Sequence, residues 1–531
     1  MMCKKIEYNE TNLFSKISLD YRSENPHFSS LISNFPNLDN FENQITEKSK
    51  NYNNIFRKDL TDVLNEQYKN IELNEAQRNN IDSLKRENSF TITTGHQLNL
   101  LTGPLYFIYK IISVINLSES LKNKYDKYDF IPVFWMASED HDFNEINNFT
   151  LSGKTFKWES NQTGMVGDFN LKNINDVLDE FENFIVNTAH GKELGFMVKE
   201  AYLNSKNLAE ATRVLVNKIF KEFGLIIIDA NNSKLKGLFK QSIINELTEG
   251  LVKNCSEKSI KKLKTLNYKI QAPPRDINLF YVQKNKRERL IKTGDSYTTE
   301  NRLKSWTSEQ IIKEINENPE NFSPNVLMRP LYQEFVLPNL CYIGGPAEIA
   351  YWLEIKPVFD NEKITFPLLL SRCSALIISK KTIKKFEKYD LGIEEIFLSE
   401  HLLKNKLITK FSKHKLDFSD LKNLLKIQFS KLKDISKNTD KSFIGALSAQ
   451  EKKQINGLAK LEKRLINSEK RIYSEKISKV MNLLSEVFPD GKFQERHLNF
   501  SDFYKDLGQD FIINIKDNLD PLNQKFTIIE I

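Results

Sequence analysis

The chain has 531 residues, 40% of them hydrophobic and 28% charged, with 77 basic against 70 acidic side chains for a formal charge of +7. That composition excludes a disordered or fibrous protein and leaves room for roughly three or four structural units of ~150 residues each. So small and dispersed a basic excess argues against a nucleic-acid partner, because counterion release needs many phosphate contacts from one face.

Cys3, Cys255, Cys341 and Cys373 show no C-x-x-C spacing, so they read as reduced thiols and not as disulfides or zinc ligands. The first residues, "MMCKKIEYNETNLFSK", lack the apolar run of a secretory signal, and no stretch approaches the ~18 apolar residues of a membrane span. A cytoplasmic protein without a membrane partner is expected.

In chain order, residues 1–85 are polar with helical spacing, Leu60, Val63, Leu64 and Tyr68 sharing one face, and read as an N-terminal helical arm. Residues 86–380 read as an α/β core. "SFTITT", then "PLYFIYKIISVINLSESL", then "DFIPVFWMA" is a strand, a helix and a second strand, the continuous apolar strands indicating a parallel sheet covered on both faces. Insertions are expected near 151–222 and 260–320, with "GLIIIDA" between them as another buried strand. The second insertion carries "LFYVQKNKRERLIKTG", whose "KNK" suits a hairpin turn, and the short basic run Lys258 to Lys269, which reads as a solvated helix face. Sheet-like pattern resumes through "LMRPLYQEFVLPNLCYIGGPAEIAYWLEIKPVF" and ends near "FPLLLSRCSALII". Residues 381–488 predict a helical domain. Leu458, Leu461, Leu465 and Ile472 keep a heptad phase that resumes one residue later with Tyr473, Ile477, Val480, Leu484 and Val487. With Phe418, Leu421, Leu425, Phe429 and Leu432 as the partner helix and "SKNTDKSFIGALS" as the loop, an antiparallel coiled-coil hairpin follows. Residues 489–531 are expected to return to the core.

Three groups carry the polar chemistry. At the join of the first strand and its helix stand Gly95, His96 and Gln97, where an α/β sheet opens to ligands. The second strand ends in "SEDHDFNEIN", which crowds Glu139, Asp140, His141 and Asp142 together. Carboxylates beside an imidazole can orient its tautomer or move a proton. Asp140, His141 and Asp142 could ligate a metal, but no spaced histidine pair accompanies them, so no metal-binding residue is assigned and the use of a metal stays open. The third group is "MRPLYQEFVLPNLCYIGGPAEIAYW". Arg329 suits a carboxylate or phosphate clamp, Tyr332 and Gln333 follow it, Gly344 and Gly345 allow close backbone approach, and Glu348 opens a helix. Arg372, just past the last strand, completes the set. "KISKV" at 476–480 lies within the heptads and reads as coil, and no phosphate-loop or dinucleotide glycine fingerprint occurs.

Taken together, "TTGHQLNLLTGPLYFIYKIISVI", "IPVFWMASEDHDFNEIN", the third block and "FPDGKFQER" resemble the bacillithiol biosynthesis cysteine-adding enzyme family over nearly the whole chain. The resemblance implies a Rossmann-like parallel-sheet core with two inserted connecting segments, reminiscent of class I aminoacyl-tRNA synthetases, and a coiled coil used in homodimerisation. It implies a cysteine ligase that joins cysteine to the amine of glucosaminyl-malate. Gly95 and His96 match the end of the synthetase histidine-x-glycine-histidine signature, with Thr93 where its first histidine stands. The chain departs from the common family form "GHQPGLFTGP" by carrying "LNLL" at Leu98 to Leu101.

The chemistry fits, because joining a carboxylate to an amine in water needs activation, for which ATP is the expected co-substrate although no lysine-rich loop is found. His96, Asp140 and His141 are the expected catalytic residues, His96 holding a transferring phosphate at a helix N-terminus and the other two acting on the sugar hydroxyls and the amine proton. The expected substrate-binding residues are Gly95, Gln97, Glu139, Asp142, Arg329, Tyr332, Gln333, Gly344, Gly345, Glu348 and Arg372. Two other readings stand beside this one: a non-enzymatic interaction protein built on the coiled coil, and a synthetase-related nucleotidyl-transfer or RNA-modifying enzyme.

Overall fold

The computed structural model describes residues 3–414, 416–436 and 441–531. It divides into a larger unit (residues 1–9, 13–376 and 492–529) and a smaller one built mainly of residues 377–491.

The larger unit is organised on five strands: β1 (Ser89–His96), β2 (Asp129–Met136), β3 (Ile226–Asp229), β4 (Asn339–Gly344) and β5 (Leu368–Ser371). Their order is β5-β4-β1-β2-β3, all parallel. Every residue of β1, β4 and β5 is buried, which explains the unbroken apolar and Thr-rich runs: strands covered on both faces have no polar side to alternate with. The chain builds outward from β1 through β2 to β3, then crosses back to place β4 on the other side of β1. The order therefore reverses between β1 and β4, and the loops at their carboxyl ends diverge and leave a crevice.

The cross-over α1 (Tyr106–Lys124) follows β1. It begins ten residues after His96, with a 3-10 turn at Leu100–Thr102 between them, so His96 ends a strand and does not sit on a helix N-terminus. The departure at Leu98–Leu101 lies in this turn. Leu101 and Thr102 adopt positive φ (46° and 65°), a costly conformation for side chains with a Cβ. Their turn is pinned by Asn499, whose Nδ2 donates to Leu101 O at 2.8 Å and Gly103 O at 2.6 Å, and by Tyr202, which accepts from Leu101 N.

The N-terminal helices Asn40–Asn51 and Phe56–Gln67 are not a detached arm: Phe41 and Ile45 enter the core cluster with Phe90, Ile92, Leu340 and Leu368. Leu60, Val63, Leu64 and Tyr68 are all buried. A short helix (Phe143–Ile146), a hairpin and three longer helices (Asn175–Ile185, Gly191–Leu203 and Leu208–Phe220) separate β2 from β3. Between β3 and β4 comes an antiparallel five-stranded sheet, whose strands Leu279–Gln283 and Lys286–Thr293 turn at Lys284–Asn285 as the "KNK" signal predicts. Arg329–Val336, expected to continue the sheet, is instead helical (α2), because Pro330 in its first turn fixes a helical φ where no N–H is needed. Pro346–Glu362 forms α3 after β4. Ala375–Ile378 leaves the parallel sheet, and Phe526–Glu530 pairs antiparallel with Cys3–Ile6.

In the smaller unit α4 (Ser419–Ser436) and α5 (Lys441–Ile472) run antiparallel, with Lys422 pairing Glu462 at 2.6 Å and Lys433 pairing Glu451. The seam follows Ile455, Leu458, Glu462, Leu465 and Glu469 at heptad spacing. Leu461, predicted for the seam, lies off that phase and is exposed, as are Leu421 and Leu432 of α4; Ile472 keeps the phase but is exposed at the end of α5. Helix α6 (Ser474–Val487) starts after a break at Tyr473, where the heptads shift by one, and buries Ile477 and Val480, so "KISKV" is packed helix. The expected loop is shorter than predicted because the helix resumes at Lys441; residues 437–440 lie outside the described residues.

Candidate functional site

The carboxyl ends of the five strands surround a cavity of about 530 Å³, within the range of small-molecule sites. Gly95 and His96 come from β1, Ser138 to His141 follow β2, Ala230 follows β3, Gly345 follows β4 and Arg372 follows β5. The β1–β2 register sets His96 opposite Met136, and Ala137 N donates to His96 O at 2.9 Å, so the first two motifs meet side by side. Gln97 joins them: its Nε2 donates to Asp140 Oδ2 at 2.7 Å and to Glu145 Oε2 at 2.9 Å.

Arg329 reaches the same cavity across some 230 residues of sequence because β4 lies beside β1. Its Nη1 donates to Gln333 Oε1 at 2.9 Å, and Nη2 is buried without a hydrogen-bond partner among the described residues. Gln333 itself stands behind the cavity. Its Nε2 donates to Glu334, which also accepts from Asn339 at 2.6 Å and pairs Lys48 at 3.3 Å. Burial pushes the Glu334 carboxyl up, and the Lys48 ammonium only partly offsets this. Thr93, at the position of the missing histidine, is buried in the sheet and donates to Asn339 Oδ1 at 2.8 Å, so it supports the sheet from behind.

Glu348 is saturated. It accepts from Tyr342 OH and Gly345 N, each at 2.7 Å, and pairs with Lys110. Burial alone would raise its carboxyl, but Lys110 overrides that and holds it below the usual range. Lys110 also donates to Gly95 O at 2.7 Å, so it is the post that ties β1 to α3. Arg372 spends both terminal nitrogens on Glu495, Cys373 O and Ser374 and keeps only a buried, unpartnered Nε for the cavity. Tyr332 lines the wall and donates to Ala230 O at 2.7 Å. Gly344 lies behind the wall and Asp142 is exposed at the start of a short helix, so neither lines the cavity.

His96 is 8% exposed, its ring lies against Tyr106 and Phe107, and its Nε2 has no partner among the described residues. Burial first and the Lys110 charge second push its pKa down to about 3, so at neutral pH it is an uncharged imidazole.

Several lining residues were not singled out from sequence. Lys110 had a signal, a lone cation inside the apolar run of α1, which is rare without a buried partner. Arg496 stands in the quoted "FPDGKFQER" block, whereas Arg275, Arg287 and Arg289 belong to the second insertion, which read only as strands. The cavity is therefore rich in cations: Lys110, Arg329, Arg372 and Arg496 on the β1–β4–β5 side and Arg275, Arg287 and Arg289 from the second insertion, with Glu139, Asp140 and His141 after β2. Among the described residues no group of histidine, cysteine or carboxylate side chains is arranged to hold a metal.

Comparison with known proteins agrees with this architecture. Residues 1–373 match the N-terminal Rossmann-like domain of bacillithiol biosynthesis BshC, and residues 375–531 match its C-terminal coiled-coil domain. A protein of Christiangramia forsetii named "Putative cysteine ligase BshC" is 45% identical over 528 residues, 99% of this chain and 98% of its own. One of the same name from Flavobacterium johnsoniae is 44% identical over 526 residues, 99% of each chain. A more distant one, from Staphylococcus carnosus, is 30% identical over 383 residues, 69% of this chain and 70% of its own.

Proposed function

Because the chain belongs to the bacillithiol biosynthesis BshC family, we propose that it is a ligase that forms the amide bond between the carboxyl group of cysteine and the amine of glucosaminyl-malate, giving bacillithiol. The observation that supports this most is the cation-rich cavity at the strand-order reversal. Glucosaminyl-malate carries two carboxylates on its malate and an ammonium on the neighbouring carbon of the sugar, and the cavity offers arginines for the former and the carboxylates of Glu139 and Asp140 for the latter. On this reading Arg329 clamps a malate carboxylate, the amine lies toward the β2 loop, and its proton goes to a group of that loop. His96 donates a hydrogen bond to oxygen charge that builds up as the bond forms. The donors of Lys110, Arg329 and Arg496 also fit phosphate groups, and ATP, when bound, would supply the activation of the cysteine carboxylate.

A thermal-shift series tests this against the other two readings. Glucosaminyl-malate at a hundred times its Kd should stabilise the protein by about 2.7 kcal/mol. Absence of any shift with glucosaminyl-malate, bacillithiol or ATP would favour the interaction-protein reading, and a salt-sensitive shift with tRNA would favour the RNA reading.

The same proposal includes a cytoplasmic homodimer. Leu421, Leu424 and Ile435 of α4 and Leu461 of α5 are 48%, 57%, 70% and 55% exposed, an apolar face that a second copy would cover. Leu424→Glu with Leu461→Glu should give a monomer by light scattering; an unmodified protein that is already monomeric at micromolar concentration contradicts the dimer.

A further inference from the structure

The second insertion holds the imidazole of His141 as well as walling the cavity. Arg287, on the strand Lys286–Thr293, has a protein acceptor for each donor nitrogen: Nε donates to Ser323 Oγ at 3.0 Å, Nη2 to Pro324 O at 3.0 Å, and Nη1 to His141 Nδ1 at 2.9 Å. Its guanidinium carbon sits 3.8 Å from the centre of the Phe280 ring, and the His141 ring packs on the same Phe280 at 5.4 Å. Arg287 is thereby held in one pose, aimed at one ring nitrogen.

A guanidinium has donors only and stays charged throughout the pH range of folded proteins. His141 Nδ1 must therefore accept, which leaves the ring's single proton on Nε2. Asp140 does not reverse this assignment. Its Oδ1 lies 3.8 Å from Nδ1 and accepts from the His141 backbone N at 2.7 Å, while its Oδ2 is taken by Gln97. The charged groups around the ring are Arg287, Arg289, Asp140 and Asp142; burial and Arg287 push the imidazole below its ordinary value, and the two aspartates offset this only in part.

We propose that Arg287 is a positioning residue that fixes His141 as the neutral Nε2–H tautomer, so that His141 acts in the reaction as a hydrogen-bond donor and not as the base that takes the amine proton. A base needs a free lone pair, and in this arrangement one ring nitrogen is engaged and the other carries hydrogen. The proton then falls to a carboxylate of the β2 loop. Two carboxylates of that loop line the cavity, Glu139 held by Lys236 and Ser323 and Asp140 by Gln97 and the His141 backbone N. The division of roles rests on the ligase reading, whereas the tautomer does not.

Long-range proton–nitrogen spectra of the full-length, histidine-labelled protein test the tautomer directly, His141 being assigned by its loss in His141→Gln. At neutral pH His141 should show a protonated Nε2 and a bare Nδ1. In Arg287→Gln the two nitrogen signals should move toward averaged values, and the ring should titrate nearer pH ~6.5. A proton on Nδ1 in the parent overturns the proposal, and the parent spectrum decides even if Arg287→Gln fails to fold. In the ligase assay His141→Gln, which keeps a donor but cannot act as a base, should retain at least tenfold more turnover than His141→Ala. Equal loss in the two overturns the donor role. An inactive parent with the expected spectrum would count against the ligase reading and leave the tautomer standing.

Discussion

His96→Ala should form bacillithiol about a hundredfold more slowly than the parent, a loss of ~3 kcal/mol of transition-state stabilisation, while melting within a few degrees of it. The ring stands at the end of β1, where the strand order reverses, and lines the cavity with an unpartnered Nε2. A fold-keeping histidine would have that nitrogen bonded, since a buried polar atom left without a partner costs stability. Its neutrality also matters. With its pKa pushed down to about 3 it stays uncharged across the working range, so it brings no fixed charge into a cavity already rich in cations. The neutral ring can strengthen a hydrogen bond only as charge builds up on the reacting oxygen, and this favours the transition state over the bound substrate. The measurement is initial rate beside a melting curve for parent and variant. A variant that unfolds early but keeps its specific activity would return His96 to a packing role against Tyr106 and Phe107.

Arg329→Ala should lower kcat/KM for glucosaminyl-malate about a hundredfold, chiefly by raising KM, because a clamp on a non-reacting carboxylate binds ground state and transition state alike. Arg329→Lys should recover little. Arg329 is aimed by Gln333, which is fixed by Glu334, itself held by Asn339 and Lys48, and a lysine cannot make that bond while offering two parallel donors to a carboxylate. Steady-state kinetics with each substrate varied in turn checks this. If the KM for cysteine rises instead, the clamp belongs to the other substrate.

The core and most of the site were legible in the sequence for one physical reason. Parallel strands buried on both faces read as uninterrupted apolar runs, and their carboxyl ends are where such runs stop at polar residues. "TTGHQ", "SEDHD" and the Gly344–Gly345 turn each mark such a stop, and the sheet brings all three to one edge. Residues whose role depends on non-local packing were not legible. Glu348 has the position of a substrate ligand but is consumed by Lys110, Tyr342 and Gly345, and Arg372 likewise by Glu495. Gln333 supports the site from one layer back. Arg287 sits in a strand whose local pattern says only hairpin, and its importance comes from where the inserted sheet is set down. In the coiled coil, the heptad count located the helices, but several apolar residues flank the seam. There Glu462 and Glu451 pair with lysines of the facing helix and leave Leu461 outside.

On the proposed reading the cavity joins cysteine to glucosaminyl-malate. The most direct measurement is reconstitution of the purified full-length protein with cysteine, glucosaminyl-malate and ATP, read by mass spectrometry against a reaction lacking protein. Bacillithiol should accumulate in proportion to protein, require both substrates and fall about a hundredfold with His96→Ala. Glucosaminyl-malate that binds and stabilises the protein but is never converted, with or without ATP, would contradict that reading.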